Sequence, residues 1–382
     1  MTWQAENARF RQRRPDWQCR TWSTLLQGVA TAMNGSGPWA RKPRWSSHKP
    51  TCLAMVSLFR LALAACLMPD VFASLGLCSA VKPYSYSLAK VQFPHLKAAL
   101  ETVETQPIAT WYTDRDIDSK HQAALAVGNC PKGSRPTIVV YGLPNKDCQD
   151  HHSTDGANKT PEQYVQFLTD LSTTVGDNNV VYILEPDAVG LLVGGSACAT
   201  TFEYERNLIN AVSLLGRNPQ ADIYIDIGFW VLGPANDAKI ARVLSKLDPT
   251  GTRLKGISIN TSNFRTTSEL VQMCGNFSAT ARATANRTVT CVLDVSRNFA
   301  GPDPTSQWCN PKGRGIGRPP TILSGERLID YMLWIKPPGE SDGNCNGGPT
   351  AGAFFLDGFV ELWNNGYFVQ AKGMNKVSAI AP

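Results

Sequence analysis

The run "VVYILEPDAVG" (residues 180–190) sets five apolar residues against two carboxylates, Glu185 and Asp187, held one residue apart by Pro186. A continuous apolar run this short, closed by a proline, reads as a buried strand. Runs of the same kind occur at "TIVVYGL" (137–143), "ADIYIDIG" (221–228), "KGISIN" (255–260) and "TVTCVLDV" (288–295). Helix-compatible stretches lie between them, including "TPEQYVQFLTDLSTTV" (160–175) and "YERNLINAVSLLG" (204–216). In the first, Thr160 is placed as the N-cap and Pro161 at the first helical position. Alternating β and α units predict an α/β fold with a mainly parallel sheet, open or closed into a barrel. There is no internal repeat and no Ser/Thr/Pro-rich linker, so one catalytic-sized domain is expected.

The chain has 382 residues, 43% hydrophobic and 18% charged, enough for a sizeable core, with a formal net charge of +6. The charge is unevenly placed. Residues 1–54 hold nine Lys and Arg against Glu6 and Asp16, so the remaining 28 basic and 29 acidic residues carry −1. The rest of the chain therefore has no electrostatic reason to bind nucleic acid. Next comes "MVSLFRLALAACLMPDVFAS" (55–74): Arg60, an apolar stretch from Leu61 to Met68, then Val71 and Ala73 before Ser74. This pattern reads as a secretory signal peptide over 55–73, too short for a membrane span. We expect Met55 to be the natural start, residues 1–54 to be an upstream artefact and the mature protein to be extracellular. The rival reading is a type II membrane anchor with a basic tail.

Secretion makes disulfides the default for Cys130, Cys148, Cys198, Cys274, Cys291, Cys309 and Cys345, whose spacing suits no zinc site. Cys78 can fall on either side of processing. Sequons occur at Asn158, Asn260, Asn276 and Asn286.

Aspartates follow or end the strand-like runs: Asp147, Asp187, Asp226 and Asp294, with Asp342 after the apolar run in "YMLWIKPPGESDG" (331–343). In α/β proteins ligand chemistry gathers at strand C-termini. A single aspartate there is commonly a cap or turn residue, but five on one face suggest carboxylate chemistry. Glycoside hydrolysis requires one carboxyl kept protonated for the leaving oxygen and another to activate water. Trp111, Trp230, Trp308 and Trp334 accompany the motifs, and aromatic rings stack on sugar faces; Trp334, inside an apolar run, is expected in the core. Other chemistries lack support. There is no HExxH and no GxSxG, and "GRGIGRPP" precedes prolines rather than a helix. No metal, nucleotide or other cofactor is expected.

These residues resemble glycoside hydrolase family 6, the inverting cellulases. "VVYGLPNKDC" (139–148) is similar to one family signature and "YILEPDAV" (182–189) to the other; the likeness continues through "LWIKPPGESDG" (333–343) and "AGAFFLDGFVELW" (351–363). The resemblance implies a distorted (β/α) barrel over residues 79–382, acting as a monomer on β-1,4-glucan (cellulose and cello-oligosaccharides). It implies Asp187 as general acid, Asp147 as helper and Asp342 as base. Ser153 would help position the attacking water, and Tyr141 would press on the ring at the cleavage point. Trp111, Asp226, Trp230, Asn260, Arg297, Trp308, Lys336 and Glu340 would contact substrate or line the cleft, and a glycan on Asn260 would block it. The family pairs Cys148 with Cys198 and Cys309 with Cys345; Cys274–Cys291 would be an extra bridge, leaving Cys130 for Cys78 or for no partner.

The sequence departs from the family in two places. Lys146 stands where an arginine is usual, and Phe229 replaces a histidine in a shortened sugar-contacting segment. "KPPGESDGNC" (336–345) matches the short version of a loop that roofs the cleft in chain-end-processing members. An open groove and endo action are therefore expected over a cellobiohydrolase. The other readings are a secreted glucan-binding protein without catalysis, and a barrel hydrolase acting on xylan or mixed-linkage glucan.

Overall fold

The computed structural model describes residues 76–116 and 118–380. The expected signal peptide, start site and basic segment lie outside the described residues, as do Cys19, Cys52 and Cys66. Everything described belongs to one unit, Ala65–Pro382.

Seven strands form one sheet in sequence order, every neighbouring pair parallel: β1 Thr110–Thr113, β2 Thr137–Tyr141, β3 Val180–Leu184, β4 Ala221–Asp226, β5 Leu254–Ile259, β6 Thr290–Asp294 and β7 Ile329–Leu333. The sheet curls until its edges meet. Ile108, just before β1, makes a parallel bridge with Trp334, just after β7, and the Ala109 N–H donates to the Trp334 carbonyl (2.9 Å). This is the expected distorted barrel, with a seam of a single bridge.

Strand alternation produces two cores. Val139, Tyr141, Val181, Ile183, Tyr224, Val292, Tyr331 and Leu333 fill the barrel, while Ile138, Val140, Tyr182, Leu184, Ile223 and Ile225 face the helices. Both faces being buried explains why β2 and β3 read as continuous apolar runs. Helix Pro161–Val175 begins as expected: the Gln163 N–H donates to the Thr160 side chain, and the Gln163 side chain accepts from the Thr160 N–H, closing a capping box. Helix Tyr204–Leu215 matches the second helical stretch. Trp334 is fully buried and donates to the Arg318 carbonyl (2.8 Å).

Among the described residues four disulfides form: Cys148–Cys198, Cys309–Cys345, Cys274–Cys291 and Cys78–Cys130. The last settles the partner of Cys130. The first two staple loops at the C-terminal rim of the barrel.

Candidate active site

A cleft of about 1380 Å³ runs across that rim. Trp111 enters it from β1 and Tyr141 from the end of β2; Asp147 and Ser153 come from the loop after β2, and Asp187 from the loop after β3. Trp230 follows β4, Trp308 follows β6, and Lys336, Glu340 and Asp342 follow β7; all ten line the cleft.

The turn after β3 separates its two acids. Glu185 is fully buried and accepts from the Gly142 N–H (3.0 Å), the Leu143 N–H (3.2 Å) and the Tyr164 hydroxyl (2.8 Å). It thus pins the exit of β2. A Cβ at residue 142 would collide with the Phe167 ring (2.4 Å), so only glycine brings that N–H to the carboxylate. Burial raises Glu185 to about 7 against the opposing hydrogen bonds. Asp187, two residues on, opens into the cleft. Burial, then the charges of Asp226 and Asp147, raise its carboxyl to about 7, partly offset by a hydrogen bond from Trp230. Asp147, Glu185 and Asp187 all have left-handed backbone (φ 54°, 48° and 69°), a cost of ~1–3 kcal/mol each that tends to collect at functional sites.

Asp147 accepts from the Ser153 N–H (2.7 Å); burial raises its pKa and that bond opposes the rise. The Ser153 hydroxyl in turn accepts from Arg115 Nη1 (3.0 Å), which leaves its own proton free to donate. Arg115 also donates to the Ala351 carbonyl (3.2 Å) and lies 2.9 Å from Asp155, tying together the loops after β1, β2 and β7. Lys146 pairs with buried Asp114 and sits 5.3 Å above the Tyr141 ring. Asp342 is gripped at both oxygens by Arg297 (3.0 Å each) and accepts from the Asn310 N–H (3.0 Å). Lys336 Nζ lies 4.0 Å from Asp342 and 5.9 Å from the Trp111 ring centre. Burial lowers the Lys336 pKa and raises that of Glu340, which accepts from the Ser85 hydroxyl (2.8 Å).

Asp226, Asn260 and Arg297 are not among the residues that line the cleft. The five aspartates of the rim occupy two layers. Asp226 and Asp294 share the inward parity of Tyr224 and Val292, so they cap the barrel interior beneath the cleft floor, fully buried. Carboxylates buried there must be hydrogen-bonded, and backbone N–H groups of the rim loops supply the partners. Asp226 accepts from the N–H of Asp187 (3.0 Å) and the hydroxyl of Thr261 (2.5 Å). Asp294 accepts from the N–H groups of Ser262 (2.9 Å), Ser296 (2.9 Å), Ile335 (3.2 Å) and Lys336 (3.2 Å). Asn260 donates to the Asp294 carbonyl (2.8 Å), and Arg297 lies between Asp342 and the Phe264 ring (4.3 Å). These side chains place the groups that reach the cleft.

Trp230 and Trp308 are 47% and 41% exposed, large aromatic faces turned into the groove. Trp230 packs against the helix Ala188–Val193, where a Cβ at Gly190 would stand 2.6 Å from its ring. Trp308 meets His152 edge to face (5.5 Å). Phe229 also lines the cleft and carries the Arg265 guanidinium over its ring (4.8 Å). Arg115 and His152 were not foreseen as site residues. Arg115 follows a strand of only four residues, too short to be read. Among the described residues, no group of three or more His, Cys, Asp or Glu is arranged to hold a metal ion.

Of the four sequons, Asn158 is buried with its Nδ2 donating to the Gly142 carbonyl (2.7 Å), and Asn260 is fully buried with its Nδ2 engaged as above. Asn276 and Asn286 are exposed.

A parallel barrel with acids gathered around a cleft at its C-terminal rim has the layout of the barrel enzymes. The family follows from the sequence: residues 72–366 match the profile of Glycosyl hydrolases family 6, and the chain belongs to that family. It is 31% identical over 273 residues to Endoglucanase A of Cellulomonas fimi, covering 70% of this chain and 56% of that protein. Against Endoglucanase 1 of Streptomyces halstedii it is 36% identical over 260 residues, 66% of this chain and 77% of the relative. Among solved structures, the endoglucanase Cel6 from Mycobacterium tuberculosis, in complex with methyl-cellobiosyl-4-deoxy-4-thio-β-D-cellobioside, superposes with a TM-score of 0.64. That match has 28% identity and covers 76% of this chain and 97% of the other. The chain thus spans little more than half the length of the Cellulomonas fimi relative.

Proposed function

We propose that the protein is a secreted β-1,4-glucanase that hydrolyses cellulose with inversion. The observation that carries the reading is Asp187, a carboxyl raised to about 7 at the floor of a cleft lined by Trp111, Trp230 and Trp308. A carboxyl still protonated near neutral pH can donate to a glycosidic oxygen. Burial keeps it so, helped by the nearby charges of Asp226 and Asp147. Asp187 gives its proton to the leaving oxygen as the glycosidic bond breaks, and water attacks the opposite face of the sugar. That water is held through Ser153, whose hydroxyl Arg115 orients, and its proton passes to Asp342. The acid and base carboxyls of an inverting pair stand roughly 6.5–9.5 Å apart, leaving room for the water. Tyr141 presses on the reacting ring, while Trp111, Trp230, Trp308, Lys336 and Glu340 hold the flanking sugars.

Product analysis by NMR tests this. Fresh cleavage of cellohexaose should release the α-anomer, and β-anomer would overturn the mechanism. A wild type that binds cello-oligosaccharide without cleaving it would show a glucan-binding protein instead. Cleavage of xylan or mixed-linkage glucan in preference to cellulose would move the substrate class.

Endo action is supported by the short segment from Lys336 to Cys345, stapled by the Cys309–Cys345 bridge, and by the endoglucanase names of the relatives above. Carboxymethyl-cellulose viscosity should fall sharply with few new reducing ends; cellobiose as the sole early product would mark a cellobiohydrolase. The catalytic domain is assigned to residues 79–382, acting as an extracellular monomer, with residues 55–73 as its signal peptide. The four disulfides agree with an oxidising destination.

A further inference from the structure

The helix Tyr84–Gln92 has two unlike faces. Tyr86 and Ala89 are fully buried on the inner one; the Tyr86 hydroxyl donates to the Pro338 carbonyl (2.5 Å), and its ring meets Phe354 and Phe359 edge-on at 6.3 and 6.4 Å. These contacts fix the helix to the segment after β7 that carries Glu340 and Asp342. Ser85 strengthens the attachment through its hydrogen bond to Glu340. The outer face carries Tyr84, Leu88 and Val91, exposed by 73%, 47% and 79%. Their spacing of i, i+4 and i+7 makes them one stripe along the helix. A single exposed apolar side chain is ordinary, but an apolar stripe on a rigidly held helix marks a binding surface. The stripe is also continuous with the cleft, because Tyr84, Leu88 and Gln92 line the same groove as Asp187.

We propose that this helix is an additional glucan subsite, where a chain extending past Glu340 lies over Tyr84 and Leu88. The inference rests on the reading of the cleft as a glucan groove. The chemistry fits that occupant. The faces of a glucose ring present C–H groups, which suit the phenol of Tyr84 and the side chain of Leu88. The ring edges present hydroxyls, and Lys82, Ser85 and Gln92, also in the cleft lining, flank the stripe with donors and acceptors. Val91 lies beyond the lining, so the contact weakens along the helix.

The test compares kcat/KM on cellotetraose, cellohexaose and longer soluble cellodextrins, using the full chain. The long-to-short ratio should fall about tenfold in Tyr84→Ala, as loss of one buried aromatic face predicts, less in Leu88→Ser, and return in Tyr84→Phe. An unchanged ratio in Tyr84→Ala overturns the subsite. So does an unchanged ratio with a lowered melting temperature, which would mean that the stripe is covered by another part of the chain. Failure of the wild type to cleave any member of the series would instead overturn the glucanase reading itself.

Discussion

At the N-terminal end of the barrel, Asp222 lies 3.1 Å from both Arg135 and Lys255 and accepts from the Tyr331 hydroxyl (2.7 Å). At the C-terminal end, the main charged neighbours of Asp187 are two more carboxylates, Asp226 and Asp147. Asp248, just before β5, repeats the first pattern. Burial alone would raise it, but N–H groups of Leu254 and Arg253 and the Arg287 guanidinium (2.8 Å) bring it down to about 2. One barrel therefore holds carboxylates whose charge is matched and carboxylates whose charge is opposed. Asp222 and Asp248, matched at the far end, hold the fold together; Asp342 at the rim is also matched, by Arg297, so pairing by itself does not mark an acid as structural. The like charges around Asp187 keep it where a proton can be given up, which distinguishes it from Asp222 and Asp248.

The largest effects should come from removing one acid of each kind. Asp187→Ala should lower kcat by about a thousandfold while leaving cello-oligosaccharide binding measurable by calorimetry. Asp248→Ala should leave Arg287 buried without its partner and cost ~3–5 kcal/mol in denaturant unfolding, with kcat retained well below the melting temperature. If Asp248→Ala lost activity without stability, the division between the two ends would be broken.

A smaller effect refines the division within the rim itself. Asp226 is second only to burial in raising Asp187. Asp226→Asn removes that charge, so the alkaline limb of kcat/KM, expected near pH 7, should move about one unit toward acid. A limb that stayed in place would mean that Asp187 is not the group titrating there.

A further effect is on the pH dependence of stability. Glu185, Asp187 and Asp226 have folded values of about 7, about 7 and about 6, above the unfolded range near 4. The fold favours their protonated forms, so their contribution is complete below pH about 4 and is lost as pH rises through 6 to 7. Asp248 has the opposite sign: its contribution is present above pH about 4 and is lost only as pH falls toward 2. The melting temperature should therefore drop between pH 5 and pH 8, and drop less in Glu185→Gln.

The sequence made β2 to β6 legible because strands covered on both faces leave continuous apolar runs. β1 has only four residues, most of them half-exposed, and carried no such run, while β7, which alternates buried with half-exposed positions, showed only its apolar end at 331–335. The acids at the rim were legible as a group. Their division into two layers was not, because it depends on which side of the sheet each strand's last residue faces. "YIDIG" and "VLDV" look no different from a strand that delivers its aspartate to solvent. Only the register of Tyr224 and Val292 within the barrel shows Asp226 and Asp294 pointing inward. Arg115 had no sequence signal at all, since its partners come from two loops far apart in the chain, Ser153 and Asp155 after β2 and Ala351 after β7.

The sequons of Asn158 and Asn260 carry a consequence for biosynthesis. In each, the amide nitrogen that would receive a glycan is the atom that binds a backbone carbonyl at a strand end in the folded protein. Glycosylation during synthesis and folding would then compete for the same atom. A host that attaches N-glycans co-translationally should yield a fraction of chains that never close the rim, whereas a host without that machinery should not.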